Sequence, residues 1–212
     1  MAEQRVVIAS SPYERVIHWV LAGTCLFLVF TGLIIAVRSF EPFARILGGY
    51  HAVKELHEWV GIFFTIALAF AVRHWYKEAG YIDKSDIEWM KVAGGYLWDA
   101  KLPKPYKYNA GQKLFFITVA LYGALMVLTG LLLWFGKGFI WAPIMRWTAV
   151  FHALGVAVIG GFSMVHIYLG TIGTTGSLWV MTDGKVTKAW AKTHMPGYYH
   201  EKIEKGVRKG KK

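Results

Sequence analysis

Apolar residues do not alternate along this chain. They collect in four long runs separated by polar connections. The first run, residues 16–37, carries no charge and is bracketed by Arg15 and Arg38. At about 1.5 Å per residue it is long enough to cross the ~30 Å hydrocarbon layer of a bilayer as a helix. It exceeds the roughly 7–15-residue apolar stretch of a cleaved signal, and Arg38 and Glu41 follow it without a small-x-small site. The second run is strictly uncharged only from Trp59 to Val72; extended over 52–75, it places Lys54, Glu55 and Glu58 at one interface and Arg73 with His74 at the other. The third covers 114–135 and the fourth 147–169. Trp19, Trp59, Trp75, Trp134 and Trp147 fall near run ends, where an aromatic belt belongs. The pattern predicts an all-α integral membrane four-helix bundle, one domain over 1–212, with a basic tail over 177–212.

Four spans put both termini on one side, and the basic residues say which. Nineteen of the 24 Lys and Arg lie in the N-terminal segment, the 73–113 connection and the tail. That asymmetry predicts cytoplasmic termini. In the long inner connection, Asp83 to Asp86 reads as the cap of a short amphipathic helix running through Trp98, weakened by Gly94-Gly95. Lys101 to Lys107, with Pro103 and Pro105, reads as an extended linker. Gly170 to Gly176 reads as a turn region, followed by a basic amphipathic tail whose Lys/Gly-rich end reads as frayed. No strong internal repeat stands out.

Composition narrows the class. Only 17% of the 212 residues are charged and 55% are apolar, against about 25% charge in soluble domains. Ten Trp, 11 Tyr and 13 Phe exclude a disordered chain. The net charge of +11 reads as orientation and attraction to anionic lipid, not nucleic acid. The single cysteine, Cys25, can form no internal disulfide, no iron–sulfur cluster on its own and no paired-cysteine haem attachment. No phosphate-binding loop, dinucleotide glycine motif, nucleophile elbow or helical zinc-protease motif is present.

The histidines carry the chemistry. Four of the eight lie in or at spans: His18, His57, His152 and His166. Ionisable residues within membrane helices must be paired or ligated. His152 and His166 stand 14 residues apart, about 40° short of four full turns, so both point to roughly one face at an axial separation of about 21 Å. The charge-derived topology sets His18 at the depth of His166, near the inner rim. It sets His57 at the depth of His152, near the outer rim. Haem iron with two axial imidazoles suits two such couples, since a bundle core can hold a flat apolar cofactor. Zinc asks for more ligands than either couple offers. Isolated hydrogen-bonding histidines are the remaining alternative. Bis-histidine iron has no open position, so electron transfer, with a membrane quinone as acceptor, is the expected work.

Several other residues fit that picture. Gly32, Gly61, Gly123, Gly130, Gly155 and Gly161 could clear space for a porphyrin, or simply allow close helix packing. Arg15, Arg38, Arg73 and Lys54 stand where propionates could emerge, or as snorkelling anchors. Tyr108, Asn109, Gly111, Gln112 and Lys113 mark the inner start of the third span. There, Asn and Gln could hydrogen-bond a quinone carbonyl beside a helix N-terminus; an ordinary polar helix start is the other reading. His51, His74, His194 and His200 read as surface or interface residues.

With these residues in view, the chain closely resembles the cytochrome b (gamma) subunit of membrane-bound respiratory formate dehydrogenase, and in plan the cytochrome b subunits of nickel–iron hydrogenases. The resemblance covers nearly the whole chain. It rests on Arg15-Val16-Ile17-His18-Trp19, Leu56-His57, Tyr108-Asn109-Ala110-Gly111-Gln112-Lys113, the pair His152 and His166, Gly184-Lys185-Val186 and Trp190-Ala191-Lys192. It implies two haems b, the outer held by His57 and His152 and the inner by His18 and His166. It implies a quinone pocket at Asn109, Gly111 and Gln112, next to His166. It also implies partners on the outer, periplasmic side: an iron–sulfur beta subunit and a molybdenum or tungsten catalytic alpha subunit. Electrons would pass from alpha through beta to the outer haem, the inner haem and then menaquinone or ubiquinone. A trimer of such heterotrimers in the cell inner membrane is part of the same expectation. Two alternatives stand beside it: a cytochrome b anchor for a hydrogenase or another molybdoenzyme, and a haem-free transporter or structural anchor.

Overall fold

A computed structural model describes residues 4–204. Among them, four helices are long and apolar enough to cross a membrane. They are α1 (Pro12–Ala36), α2 (Tyr50–Ala79), α4 (Ala110–Phe135) and α5 (Ala142–Tyr168), with the short α3 (Lys84–Lys91) between α2 and α4. All four long helices begin before their apolar runs, because caps rather than hydrophobicity decide where a helix starts. At α1, Ser11 Oγ accepts from the Glu14 amide at 3.2 Å and Glu14 Oε2 accepts from the Ser11 amide at 2.6 Å. This is a reciprocal capping box, and Pro12 takes the first helical position, where its missing N–H costs nothing. At α3, Asp83 and Asp86 make the same reciprocal box. The expected cap is therefore present, but α3 ends at Lys91 rather than Trp98. Ala93, Gly94 and Gly95 adopt left-handed backbone there, and the Trp89 ring fills the space a side chain at Gly94 would need, so glycine suits that position on both counts.

The chain divides into two compact units, each spanning several sequence segments. The membrane unit comprises Val16–Arg73 and Thr118–Met164. Within it, Gly123 lets α4 approach α2, where an added Cβ would stand 2.8 Å from Leu68 Cδ2, and Gly155 brings α5 onto Met126 of α4. Small residues serve membrane helices in this way, by letting backbones draw close. Trp59 and Trp134 meet edge-to-face at 5.7 Å between ring centres. A 3₁₀ segment, Arg38–Leu47, closes on Gly48 (φ 91°), and its Ala44 packs with Ile34 and Val53 into a small apolar cluster ahead of α2. Large apolar side chains such as Leu121 and Leu128 remain 66% and 62% exposed. Such a surface suits lipid rather than water.

The second unit comprises Met1–Arg15, His74–Ile117 and Val165–Lys212. Here the basic tail is built structure. After a π-helical turn at Leu169–Gly173 come α6 (Ser177–Thr182), β2 (Lys185–Val186) and α7 (Lys188–His194). Strand β1 (Val7–Ile8) pairs antiparallel with β2, Val7 opposite Val186. Val7, Ala9, Val186, Ala191, Met195 and Tyr199 form a buried core there, and Arg5 pairs with Asp183. Lysines hid this core from a reading by composition, because its apolar positions are few and widely spaced. The end expected to fray lies beyond residue 204, outside the described residues.

Candidate functional site

In the membrane unit, His57 of α2 and His152 of α5 face each other, with ring centres 6.3 Å apart and planes at 67°. Each ring has a threonine behind it. Thr31 Oγ1 of α1 lies 2.8 Å from His57 Nδ1, and Thr129 Oγ1 of α4 lies 2.8 Å from His152 Nδ1. Next to each threonine is a glycine. A Cβ on Gly32 would come within 3.4 Å of His57 Cε1, and one on Gly130 within 3.4 Å of His152 Cε1. Four helices thus supply one histidine couple, two hydroxyls and two bare backbone patches. Gly123 and Gly155 instead serve helix packing, against Leu68 and Met126, and nothing lies within 4 Å of where side chains at Gly61 or Gly161 would begin.

His18 belongs to the membrane unit, where it meets Trp19 edge-on at 5.0 Å. His166 belongs to the second unit and stacks on Phe115 of α4, ring centres 4.2 Å apart and planes at 6°. Phe115 is three residues past Gln112, so His166 is brought to the opening turns of α4 that carry Asn109, Gly111 and Gln112. These residues start the helix: Asn109 Oδ1 accepts from the Gln112 amide at 2.9 Å, and Gln112 Oε1 accepts from the Asn109 amide at 3.0 Å. That is again the reciprocal box of a helix start. Both side-chain oxygens are engaged, which leaves the two NH₂ groups as donors. Gly111 leaves room for Trp89, whose ring would stand 3.0 Å from a Cβ there. A shallow recess beside Asn109 and Ala110 is lined also by Ser85, Asp86, Trp89, Pro103 and Pro105.

Two charged clusters brace this region. Lys113 Nζ reaches Asp86 at 2.7 Å and Asp83 at 3.2 Å. The Ser85 hydroxyl, the Asp86 amide and the Lys113 ammonium together outweigh burial and hold the Asp83 carboxyl far below the ordinary carboxylate range, as donors to a charged group do. Lys107 Nζ stands 3.1 Å from Glu14 and 3.2 Å from Glu78, and His74 Nε2 lies 3.4 Å from Glu14. Burial alone would pull the Lys107 ammonium down; Tyr108, Glu14 and Glu78 outweigh it and raise it. Trp75 Nε1 donates to Tyr108 at 3.1 Å. His74 therefore borders a partly buried ionic cluster. His51, His194 and His200 sit in local contacts with Glu55, Trp190 and Glu204. Of the candidate propionate partners, Lys54 lies 3.6 Å from Glu58, and Arg15 donates to the Ser10 carbonyl at 3.2 Å.

Residues 9–184 match the family model described as prokaryotic cytochrome b561. The chain belongs to that family. This cytochrome b is 27% identical over 205 residues to the formate dehydrogenase cytochrome b556(fdo) subunit of Escherichia coli (strain K12), covering 95% of each chain. It is 28% identical over 206 residues to the formate dehydrogenase cytochrome b556 subunit of Haemophilus influenzae, covering 95% of this chain and 85% of that one. It is also 27% identical over 216 residues to the nitrate-inducible formate dehydrogenase cytochrome b556(Fdn) subunit of Escherichia coli (strain K12), covering 99% and 97%.

Membership implies haem b, and the residues of the membrane unit fit it. His57 and His152 bring two imidazoles together from facing helices, with Gly32 and Gly130 keeping side chains away from the rings, and imidazole is a donor that would hold haem iron. Among the described residues no three His, Cys, Asp or Glu side chains converge as a metal cage, so two-ligand iron suits the donors better than zinc. The structure brings together His57 and His152, which the sequence had singled out, and adds the threonines behind them, which it had not. The overlooked signal was the string Thr-Gly-Leu, present at 31–33 and again at 129–131.

Proposed function

We propose that this chain is the dihaem cytochrome b subunit of a respiratory formate dehydrogenase, a single membrane cytochrome domain in the cell inner membrane with both termini cytoplasmic. It carries electrons inward to menaquinone or ubiquinone, reduced near the cytoplasmic face. They arrive from a periplasmic-side iron–sulfur beta subunit that serves a molybdenum or tungsten alpha subunit. The observation that carries the reading is the facing of His57 and His152, each with a threonine at Nδ1 and a glycine beside the ring. The relatives' names, the bias of Lys and Arg, and the resemblance over the whole chain support the rest.

Haem b, when bound, supplies a one-electron carrier whose doubly ligated iron has no open position. His57 and His152 would hold one near the outer face, and His18 and His166 a second near the inner face. The residues at the α4 start do different work. Asn109 and Gln112 keep their oxygens on the helix cap and offer NH₂ donors to a quinone carbonyl. Gly111 lets the Trp89 ring close on the helix start, and the α4 N-terminus favours negative charge on a reduced oxygen. His166, stacked on Phe115, stands at the same turns. The complex, in this reading, assembles as a trimer of heterotrimers.

A reduced-minus-oxidised spectrum with haem counted per chain tests the core of this reading. The expected result is two haems b, with His18→Ala and His166→Ala depleting one and His57→Ala and His152→Ala the other. Depletion of a shared haem by His18→Ala and His57→Ala would overturn the pairing. Co-purification with a molybdenum or tungsten protein supports the formate assignment, and nickel in its place refutes it.

A further inference from the structure

Thr31 is fully buried and Thr129 is 6% exposed, so water does not compete for their hydroxyls. Each hydroxyl has one proton. It is directed along its own helix, to the Phe27 carbonyl at 2.8 Å from Thr31 and to the Leu125 carbonyl at 2.6 Å from Thr129. Toward the imidazole, then, each oxygen can only accept. The proton of that bond must come from Nδ1, which leaves the lone pair on Nε2, the atom free to ligate a metal. Thr24, Thr65 and Thr148 bond back to the carbonyl four residues earlier in the same way, a common habit of threonine within helices. Thr31 and Thr129 add an imidazole to that arrangement, and each is followed by the glycine that lets the ring edge approach.

We propose that Thr31 and Thr129 are positioning residues for haem: each hydroxyl accepts from the Nδ1–H of His57 or His152, fixes the tautomer that presents Nε2, and sets the ring angle at which that Nε2 would be offered to iron. The proposal rests on the bis-histidine reading above. It makes the outer site a duplicated device. The α1–α2 pair supplies Thr31, Gly32 and His57, and the α4–α5 pair supplies Thr129, Gly130 and His152. An acceptor on Nδ1–H makes the imidazole a stronger electron donor and favours ferric iron. Loss of the acceptor should raise the midpoint potential of that haem.

The test compares Thr31→Val, Thr129→Val, Thr31→Ser and Thr129→Ser with the parent in the full-length chain within its membrane complex. The readouts are haem per chain, redox titration of the absorbance band, and the ferric low-spin resonance. Valine keeps the shape and removes the hydroxyl. The expected result is a raised potential and an altered ferric signal for one haem, the one that His57→Ala removes, with haem affinity weakened roughly 10- to 100-fold. Serine keeps the hydroxyl and should hold parental values. Unchanged potentials and signals in both valine chains overturn the proposal, as does a serine chain shifted as far as valine. If a valine chain does not accumulate, serine decides alone: parental values support the hydroxyl, and a shifted potential overturns it. A parent without haem b, or one that loses none through His57→Ala and His152→Ala, is a different result and refutes the bis-histidine reading itself.

Discussion

Lys113→Met asks what docks α3 beneath the opening of α4. The Lys113 and Asp86 side chains are 9% and 5% exposed, whereas that of Asp83 is 45% exposed. Methionine keeps most of the stem and removes the cation, so Asp86 becomes a buried carboxylate without a counter-charge. Breaking a fully buried pair costs about 3–5 kcal/mol. Here Asp86 still accepts from the Asp83 amide at 2.9 Å. Asp83 also opens to solvent, which brings the expected cost down to about 2–3 kcal/mol. That is roughly a 30- to 150-fold rise in the local opening of α3. Hydrogen exchange read by mass spectrometry should show faster exchange over 84–91 and unchanged exchange in the middle of α2 and α5. Adding Asp86→Asn should restore most of the protection, because its amide oxygen can still accept from Asp83. A Lys113→Met chain whose 84–91 exchange stays within about threefold of the parent would refute the reasoning, since even ~2 kcal/mol is larger than that. The pH dependence has a definite sign. The Asp83 carboxyl is depressed in the folded chain. Its contribution is therefore fully present above the unfolded value of about 4 and is lost as pH falls through the lower folded value. Protection of α3 should hold at neutral and mildly acidic pH and fade only in strong acid.

Gly123→Leu should strain the α2–α4 contact at Leu68 by about 1–3 kcal/mol and lower the Tm of the detergent-solubilised complex while leaving haem per chain at the parental value; haem loss without a Tm change would refute the packing assignment. Asn109→Asp keeps the oxygen that caps α4 and removes the NH₂ donor. Quinol formation should slow while haem reduction by the donor persists and α4 exchange stays unchanged, and equal quinol rates in the two chains would refute amide contact with quinone. Asn109→Ala removes the cap as well, at about 1 kcal/mol, and should also fray the first turn of α4 in hydrogen exchange.

Much of the fold was legible because the hydrocarbon layer imposes a length, and the four apolar runs met it once the second was extended past its flanking charges. The starts of α3 and α4 were legible from Asp83 with Asp86 and from Asn109 with Gln112, whereas the Ser11–Glu14 box lies outside the first run and was not. His57 and His152 could be paired from depth alone, because spacing and orientation convert directly into height along a helix. The threonines were marked only by the repeat of Thr-Gly-Leu at 31–33 and 129–131, because a hydroxyl in an apolar run otherwise looks like any back-bonding Thr until its neighbour across the interface is known. Gly123 and Gly32 were equivalent as letters. One faces Leu68 and the other an imidazole, a distinction that belongs to the packing. The tail misled for the opposite reason: its lysines dominate the composition, while Val186 and Ala191, both with no exposed surface, do the packing.

The joining of the two ends has a consequence for biogenesis. Arg5 and Asp183 are 178 residues apart in sequence, and β1 pairs with β2, so the segment around Val7 cannot form this pairing until the chain through Val186 has been made. Closing so long a loop carries an entropic cost that local contacts cannot offset early. The strand pairing therefore forms late. A fragment ending before Asp183 lacks β2 and uncovers Val7 and Ala9, which the pairing otherwise keeps buried.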